Sequence, residues 1–132
     1  MTSSIYAVVL AALICWLAFK VIGARRRNKV AYADGGVSEL QVARSAHANA
    51  TEYIPITMLL LFALEWNGGH LLIVHTLGVI FVLARFIHSR SILAESLKGR
   101  VLGMKLTFFS IFALCICNII YFPYARILPN LG

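Results

Sequence analysis

The sequence predicts an all-α integral membrane protein, a single domain over residues 1–132 built as a bundle of four transmembrane helices. Apolar residues make up 61% of the chain and charged residues only 13%, which is too little charge to cover a soluble domain of this size. Mean hydropathy is +0.85. Apolar runs near the roughly 20 residues that a helix needs to cross the hydrocarbon cover four segments, Ser4 to Gly23, Ala46 to Leu64, Leu71 to Ile87 and Val101 to Phe122.

The first run favours a retained membrane helix over a cleaved leader, because its basic cluster follows the apolar run and does not precede it. The net charge of +7 does not indicate nucleic-acid binding, since the basic residues stand at the ends of apolar runs, where they set topology. We interpret Cys15, Cys115 and Cys117 as small buried hydrophobes and predict no metal site.

The loop charges predict the orientation of the bundle. Loop one holds four basic residues between Arg25 and Lys29, and loop three holds Arg90, Lys98 and Arg100, whereas the connection at residues 66–70 holds no Lys or Arg. By the positive-inside rule, loops one and three are cytoplasmic and both termini are on the non-cytoplasmic side.

Turn residues separate the four runs. The Asn67-Gly68-Gly69 stretch predicts a tight turn that makes spans two and three antiparallel neighbours, and Asp34-Gly35-Gly36 predicts a loop break. Further expectations are that Ser38 caps the second helix, that Pro123 and Pro129 end the last helix, that Glu65 faces water, and that Asn118 makes a hydrogen bond within the bundle.

A polar stripe stands out within the second run. At 100° per residue, one sector about 60° wide contains five side chains, those of Gln41, Ser45, Asn49, Glu52 and Ile56. Tyr53 flanks the stripe on one side and Arg44 on the other. Because ionisable groups at membrane depth are costly, this stripe is a candidate functional site.

Basic residues of the third run lie at the same, cytoplasmic, level. Arg85 and His88 are spaced i, i+3 and therefore share a face, and Arg100 follows beyond the loop. Together with the stripe they would suit a small polar ligand with anionic groups. Simpler roles stay open: Asn49 and Glu52 could form hydrogen bonds between helices, Arg100 could only set topology, and Arg85 could extend to the interface.

The run from Asn49 to Ile56, Asn-Ala-Thr-Glu-Tyr-Ile-Pro-Ile, resembles the signature of the MAPEG family, the membrane-associated proteins of eicosanoid and glutathione metabolism. The stretch from Ala31 to Gln41 is similar to small bacterial members, which implies an inner-membrane protein. The resemblance implies a homotrimer that holds glutathione between its subunits near the cytoplasmic face.

Residue roles follow from the same resemblance. Asn49 and Glu52 would bind the tripeptide, Tyr53 matches the Tyr after the family Glu, and Arg85 and His88 match an Arg-x-x-His element of the third helix. Arg100 falls near the family Arg that stabilises the glutathione thiolate. Two positions depart from the pattern. The family Arg that holds a glutathione carboxylate falls on Ser45, so Arg44, one place earlier, is the candidate for this contact. Ile92 stands where animal enzymes often carry a Tyr.

These roles predict a glutathione-dependent transferase or peroxidase that acts on a lipophilic electrophile or hydroperoxide from the bilayer. A thiol near its reference pKa of about 8.5 is mostly protonated at neutral pH, so a guanidinium must favour the thiolate, with Arg100 as first choice and Arg85 as second. The alternatives are a non-enzymatic protein of this fold that binds a lipid or small metabolite, and a small transporter in which Glu52 carries protons.

Overall fold

The structure, a computed structural model, describes residues 1–128. Four long helices follow one another, with a short fifth helix at the end of the described chain: α1 (Ser4–Asn28), α2 (Ser38–Trp66), α3 (Leu71–Leu93), α4 (Leu97–Ile120) and α5 (Tyr124–Ile127). The residues described contain helices, turns and loops and no strand, so the all-α prediction is confirmed.

The helices extend beyond the apolar runs at the ends that carry the basic loops. The C-terminus of α1 continues through Arg25 to Asn28, and α3 continues past Ile87 to Leu93. Ser38 is the first residue of α2 rather than its cap, because Val37 takes the cap position and makes no side-chain hydrogen bond. α4 ends three residues before Pro123, as predicted, whereas Pro129 lies outside the described residues.

Three of the helices, α1, α3 and α4, are long and apolar enough to cross a membrane. α2 is the longest helix, with 29 residues, but its first half carries the polar stripe. It runs without interruption through Pro55, a residue that membrane helices tolerate because nearby groups satisfy the freed backbone.

The turn between α2 and α3 is as tight as predicted. Gly68 has a positive φ of 82°, and the Gly69 amide donates to the Leu64 carbonyl at 2.8 Å. A Cβ on Gly69 would stand 2.7 Å from that same carbonyl oxygen, so this approach requires glycine. The two helices therefore run antiparallel and side by side.

The helices pack through leucine-rich faces and expose large apolar side chains outward. Buried residues include Leu10, Leu17 and Leu61, whereas Phe19 is 69% exposed. Asn118 donates to the Leu60 carbonyl across the α2–α4 contact at 2.9 Å, as predicted. An apolar exterior of this kind suits lipid contact.

Cys15 and Cys115 do not belong to the core, which corrects the expectation stated above, whereas Cys117 packs against the core. Cys15 is exposed, and Cys115 and Cys117 are partly exposed. The reason is the phase of the helices: leucines and small residues occupy the inward positions, so Cys15 falls on an outer face and Cys115 at its edge.

Glu65 anchors the start of α1, so the expectation that it simply faces water is wrong. Its carboxylate accepts from the Ser3 amide at 2.9 Å and from the Thr2 hydroxyl at 2.9 Å, and also from the Thr2 amide and the Ser3 hydroxyl. A carboxylate at a helix N-terminus satisfies free amides and interacts well with the helix dipole. Tyr6 adds a second link, a 2.7 Å hydrogen bond between its hydroxyl and His75 Nδ1.

This anchor predicts a loss of stability in acid. Burial by itself raises the pKa of Glu65, but the hydrogen bonds from Ser3 and Thr2 outweigh it and lower the pKa from 4.5 to about 2. The stabilisation is therefore complete above pH 4.5 and is lost as the pH falls towards 2. We expect Glu65→Gln to reduce the free energy of unfolding at pH 7 by about 1 kcal/mol, as for a lost helix cap, and to flatten this acid dependence in thermal unfolding measured in detergent. An unchanged acid profile in the variant would contradict the assignment.

Candidate functional site

Arg85 is the centre of a polar cluster that joins α2, α3 and α4. Its side chain is fully buried, so it does not extend to the interface. Nη2 donates to Oδ1 of Asn49 at 2.7 Å and Nη1 to Oγ1 of Thr107 at 3.2 Å. Nη2 also lies 3.4 Å from Nδ1 of His88, one turn along the same helix.

The hydrogen-bond partners of Arg85 are neutral groups. Within residues 1–128 its guanidinium forms no ion pair, and three buried polar atoms of α3 lack a hydrogen-bond partner, namely Nε of Arg85, Nε2 of His88 and Oγ of Ser89. Burying a charge is costly unless it is paired. The cluster therefore favours the approach of an anion.

Tyr53 closes the cluster towards the outside. Its ring lies 5.7 Å from the guanidinium carbon of Arg85, within cation–π range, and it packs edge-on against Phe108 at 5.8 Å. Asn49 and Tyr53 are both partly exposed. Because Oδ1 of Asn49 accepts from Arg85, the side-chain amide nitrogen of Asn49 remains to donate a hydrogen bond to a ligand.

Glu52 lies on the outer face of α2. It is exposed, and its carboxylate makes no hydrogen bond or ion pair within residues 1–128. It shares that face with Gln41, Ser45 and Ile56, which are also exposed. The stripe is thus continuous as a surface, but only Asn49 connects it to the buried arginine.

Arg44 is separated from Arg85. Its guanidinium lies 3.8 Å from the carboxylate of Asp34 in loop one, and it lines a cavity of about 370 Å³ with Gln41 and Ser45. The register explains this position, because Arg44 is rotated by about 100° from Ser45.

Arg100 lines a second cavity, of about 280 Å³, on the other side of Gln41 and Ser45. It is exposed and stands in the first turn of α4, near Ser91 of α3. Asn49, Tyr53, Arg85 and His88 therefore meet in one cluster, while Arg44 and Arg100 flank the start of the stripe from opposite sides.

Two residues of α4 belong to the Arg85 cluster and were not predicted from the sequence. Thr107 holds Arg85, and Met104 lies 3.9 Å from it through its sulfur. Gly103 allows this contact, because a Cβ there would stand 2.6 Å from Cβ of His88. The available signal was the run of small residues, Gly103, Thr107 and Ser110, at helical spacing on one face of α4.

Comparison with known proteins agrees with the motif. Residues 3–120 match the family described as the MAPEG family. The chain is 36% identical over 124 residues to the inner membrane protein YecN of Escherichia coli strain K12, covering 94% of this chain and 95% of that protein. The same values apply to YecN of Escherichia coli O6:H1. From the extent of these matches, this chain belongs to the MAPEG family of membrane proteins.

Proposed function

We propose that this protein is a glutathione-dependent membrane transferase or peroxidase that works as a homotrimer, with the tripeptide bound beside the stripe of α2. Family membership supports the proposal. All four long helices cross the inner membrane, with both termini on the non-cytoplasmic side, in accordance with the loop charges.

The observation that carries the proposal is the buried guanidinium of Arg85, which lacks a carboxylate partner within residues 1–128 and holds Asn49 at 2.7 Å. An uncompensated buried cation next to a partly exposed amide attracts an anionic group. Glutathione carries two carboxylates, an ammonium group and a thiol, so it can meet Asn49 and Glu52 while adding the missing negative charge.

Glu52 supports the trimer. A carboxylate exposed towards acyl chains is costly, whereas a second copy packed on the same face would cover it and create a polar cleft between subunits. The ammonium group of glutathione would pair with Glu52 there. Arg44 and Arg100 line cavities of about 370 and 280 Å³ on either side of Ser45, and these supply room for the carboxylates and the thiol.

The chemistry requires a thiolate. The guanidinium of Arg100 would stabilise it, with Arg85 adding a longer-range field. In the transferase reaction the sulfur forms a bond to an electrophilic carbon as the leaving group departs with the bonding electrons. In the peroxidase reaction the sulfur attacks a hydroperoxide oxygen, the O–O bond breaks, and an alcohol leaves together with the sulfenic acid of glutathione. The thiol of a second glutathione then displaces water from this sulfenic acid and forms the disulfide.

The test is a titration of the purified protein with glutathione, followed by thiolate absorbance and thermal stability. Ligand binding to the folded state raises Tm, so we expect stabilisation at millimolar glutathione together with an increase in thiolate absorbance. If millimolar glutathione produces neither change in the trimer, the proposal fails.

Two variants separate binding from activation. Glu52→Gln is expected to weaken binding by about tenfold, since an ion pair in a dry cleft is replaced by a neutral contact. Arg100→Ala is expected to keep the thermal stabilisation but lose the thiolate signal. Arg90→Ala, at the end of α3, is the matched control and should behave as the parent in both measurements.

A second candidate is a protein of the same fold that binds a small metabolite without catalysis. The contact that favours it is the pairing of Arg44 with Asp34 at 3.8 Å, which engages the arginine nearest to the family position. This candidate predicts stabilisation by glutathione or a related metabolite without any thiolate signal in the parent protein.

A further inference from the structure

A groove between α1, the start of α2 and loop three lies next to the Arg100 cavity, with which it shares Val42 and Glu95. It consists of two adjoining cavities of about 450 and 300 Å³ that share Lys20 and Arg27. The larger cavity also contains Glu39 and Glu95, and the smaller one is lined by Trp16 and Phe19. The groove thus has a polar end and an aromatic end.

Lys20 is an unusual residue for its position. It interrupts the apolar part of α1, and its ammonium lies 5.3 Å from the ring centroid of Trp16. It forms no ion pair within residues 1–128. Because a lysine at membrane depth is costly, and cation–π contact with Trp16 offsets only part of that cost, this ammonium favours an anionic partner from outside the chain.

Arg27 supplies a second hydrogen-bond donor to the part of the groove that Lys20 lines. Nε and Nη2 of Arg27 bind the carboxylate of Glu39, which Asn28 also holds at 3.0 Å. Nη1 reaches back one turn, so that a Cβ on Gly23 would stand 3.2 Å from it. Since Lys20, Gly23 and Arg27 share one face of α1, the missing side chain of Gly23 leaves an opening between the two cations.

The charges of the polar end are balanced, with two cations, Lys20 and Arg27, and two carboxylates, Glu39 and Glu95. Arg27 and Glu39 already pair with each other, so within residues 1–128 Lys20 and Glu95 are the charges of this end that lack an ion-pair partner. An anionic headgroup would meet Lys20 but leave Glu95 unmatched. A headgroup with a phosphate and a primary ammonium matches both. The aromatic end suits the glycerol and acyl region, as aromatic residues do at membrane interfaces.

We propose that this groove binds a phospholipid with a primary ammonium headgroup, its phosphate between Lys20 and Nη1 of Arg27 and its ammonium beside Glu95. This proposal does not depend on glutathione, since the phosphate would bind at Lys20 and Arg27, which belong neither to the stripe nor to the Arg85 cluster. Glu95 lines both this groove and the Arg100 cavity. The lipid would seal the α1–α2 side of the bundle at the end where the basic loops lie.

Native mass spectrometry of the delipidated protein would test this lipid site. Phosphatidylethanolamine, phosphatidylcholine and phosphatidylglycerol with identical acyl chains would be added separately. We expect phosphatidylethanolamine to bind at least about fivefold more tightly than the other two, which corresponds to about 1 kcal/mol. Equal binding of the three, or a preference for phosphatidylglycerol, would overturn the proposal, and so would complete displacement by millimolar inorganic phosphate.

The variants make the test specific. Lys20→Met should weaken phosphatidylethanolamine binding by about tenfold, whereas Lys29→Met, a matched change just after α1, should not. Glu95→Gln should remove the preference over phosphatidylcholine, and Lys20→Arg should keep it, so the test stands even if Lys20→Met does not fold. Parent-like lipid binding by Lys20→Met would refute the site. A changed number of subunits in that variant would also refute it, because a second copy of the chain would then cover the Lys20 face of α1 in the parent.

Discussion

Replacement of Arg85 by Met is expected to weaken glutathione binding by at least about tenfold, the value of a lost charge-assisted interaction, while leaving the free energy of unfolding equal to that of the parent or higher. The guanidinium is fully buried and its partners are neutral. Replacing a buried charge by an apolar side chain of similar length often costs no stability. Thr107 would keep its 2.8 Å bond to the Gly103 carbonyl, and Asn49 is exposed enough to find water.

The complementary change, Asn49→Leu, should separate the two effects. It leaves the charge of Arg85 in place and removes its shortest hydrogen bond, of 2.7 Å. We therefore expect a loss of about 1.5–3 kcal/mol of stability in addition to weaker binding of glutathione. Both quantities can be measured on the same samples by denaturant or thermal unfolding in detergent and by calorimetric titration.

Asn118→Leu is the control for the loss of one interhelical hydrogen bond. Asn118 donates to Leu60 at 2.9 Å but lies away from the cluster, so this variant should lose only about 0.6 kcal/mol and bind glutathione as the parent does. If Arg85→Met unfolds the protein while Asn49→Leu leaves stability unchanged, Arg85 is a structural residue and the buried cation does not support a ligand site.

The positions of the elements could be predicted from sequence because hydropathy and loop chemistry report directly on them. The turn at Gly68 and Gly69 was predicted correctly, as was the α4 end before Pro123. The pairing of Arg85 with Asn49 was not predictable in detail. Helical periodicity places both residues at one end of the bundle but does not say that a small residue on α4, Gly103, brings the third helix close enough to bury a guanidinium.

The behaviour of Glu65 and Arg44 shows a second limit. Glu65 was assigned to water by its position relative to the membrane, and Arg44 to the flank of the stripe by helical phase. In the structure Glu65 binds the amides at the start of α1, and Arg44, although it flanks the stripe, lies beside the carboxylate of Asp34. Such contacts depend on where a chain terminus or a loop folds back, and helical spacing holds no information about that.

Gly103→Ala is expected to destabilise the bundle where α3 and α4 meet. A Cβ at this position would stand 2.6 Å from Cβ, 2.7 Å from Cα and 2.8 Å from the amide nitrogen of His88. Because two of these atoms are backbone, α3 and α4 must move apart, at a cost of about 1–3 kcal/mol for overpacking. The same movement displaces Thr107 from Arg85, so glutathione binding should fall as well.

Gly23→Ala is the matched control, since it makes the same change inside a helix, but the new Cβ would meet a flexible side chain and not backbone atoms. A Cβ there would meet Nη1 of Arg27 at 3.2 Å, and that side-chain end can move. The gain in helix propensity, about 1 kcal/mol for Gly to Ala, should leave this variant as stable as the parent or more stable. Thermal unfolding in detergent compares the two directly. Equal melting temperatures for both variants would mean that α3 and α4 are not in backbone contact at Gly103, and the burial of Arg85 would then lose its structural basis.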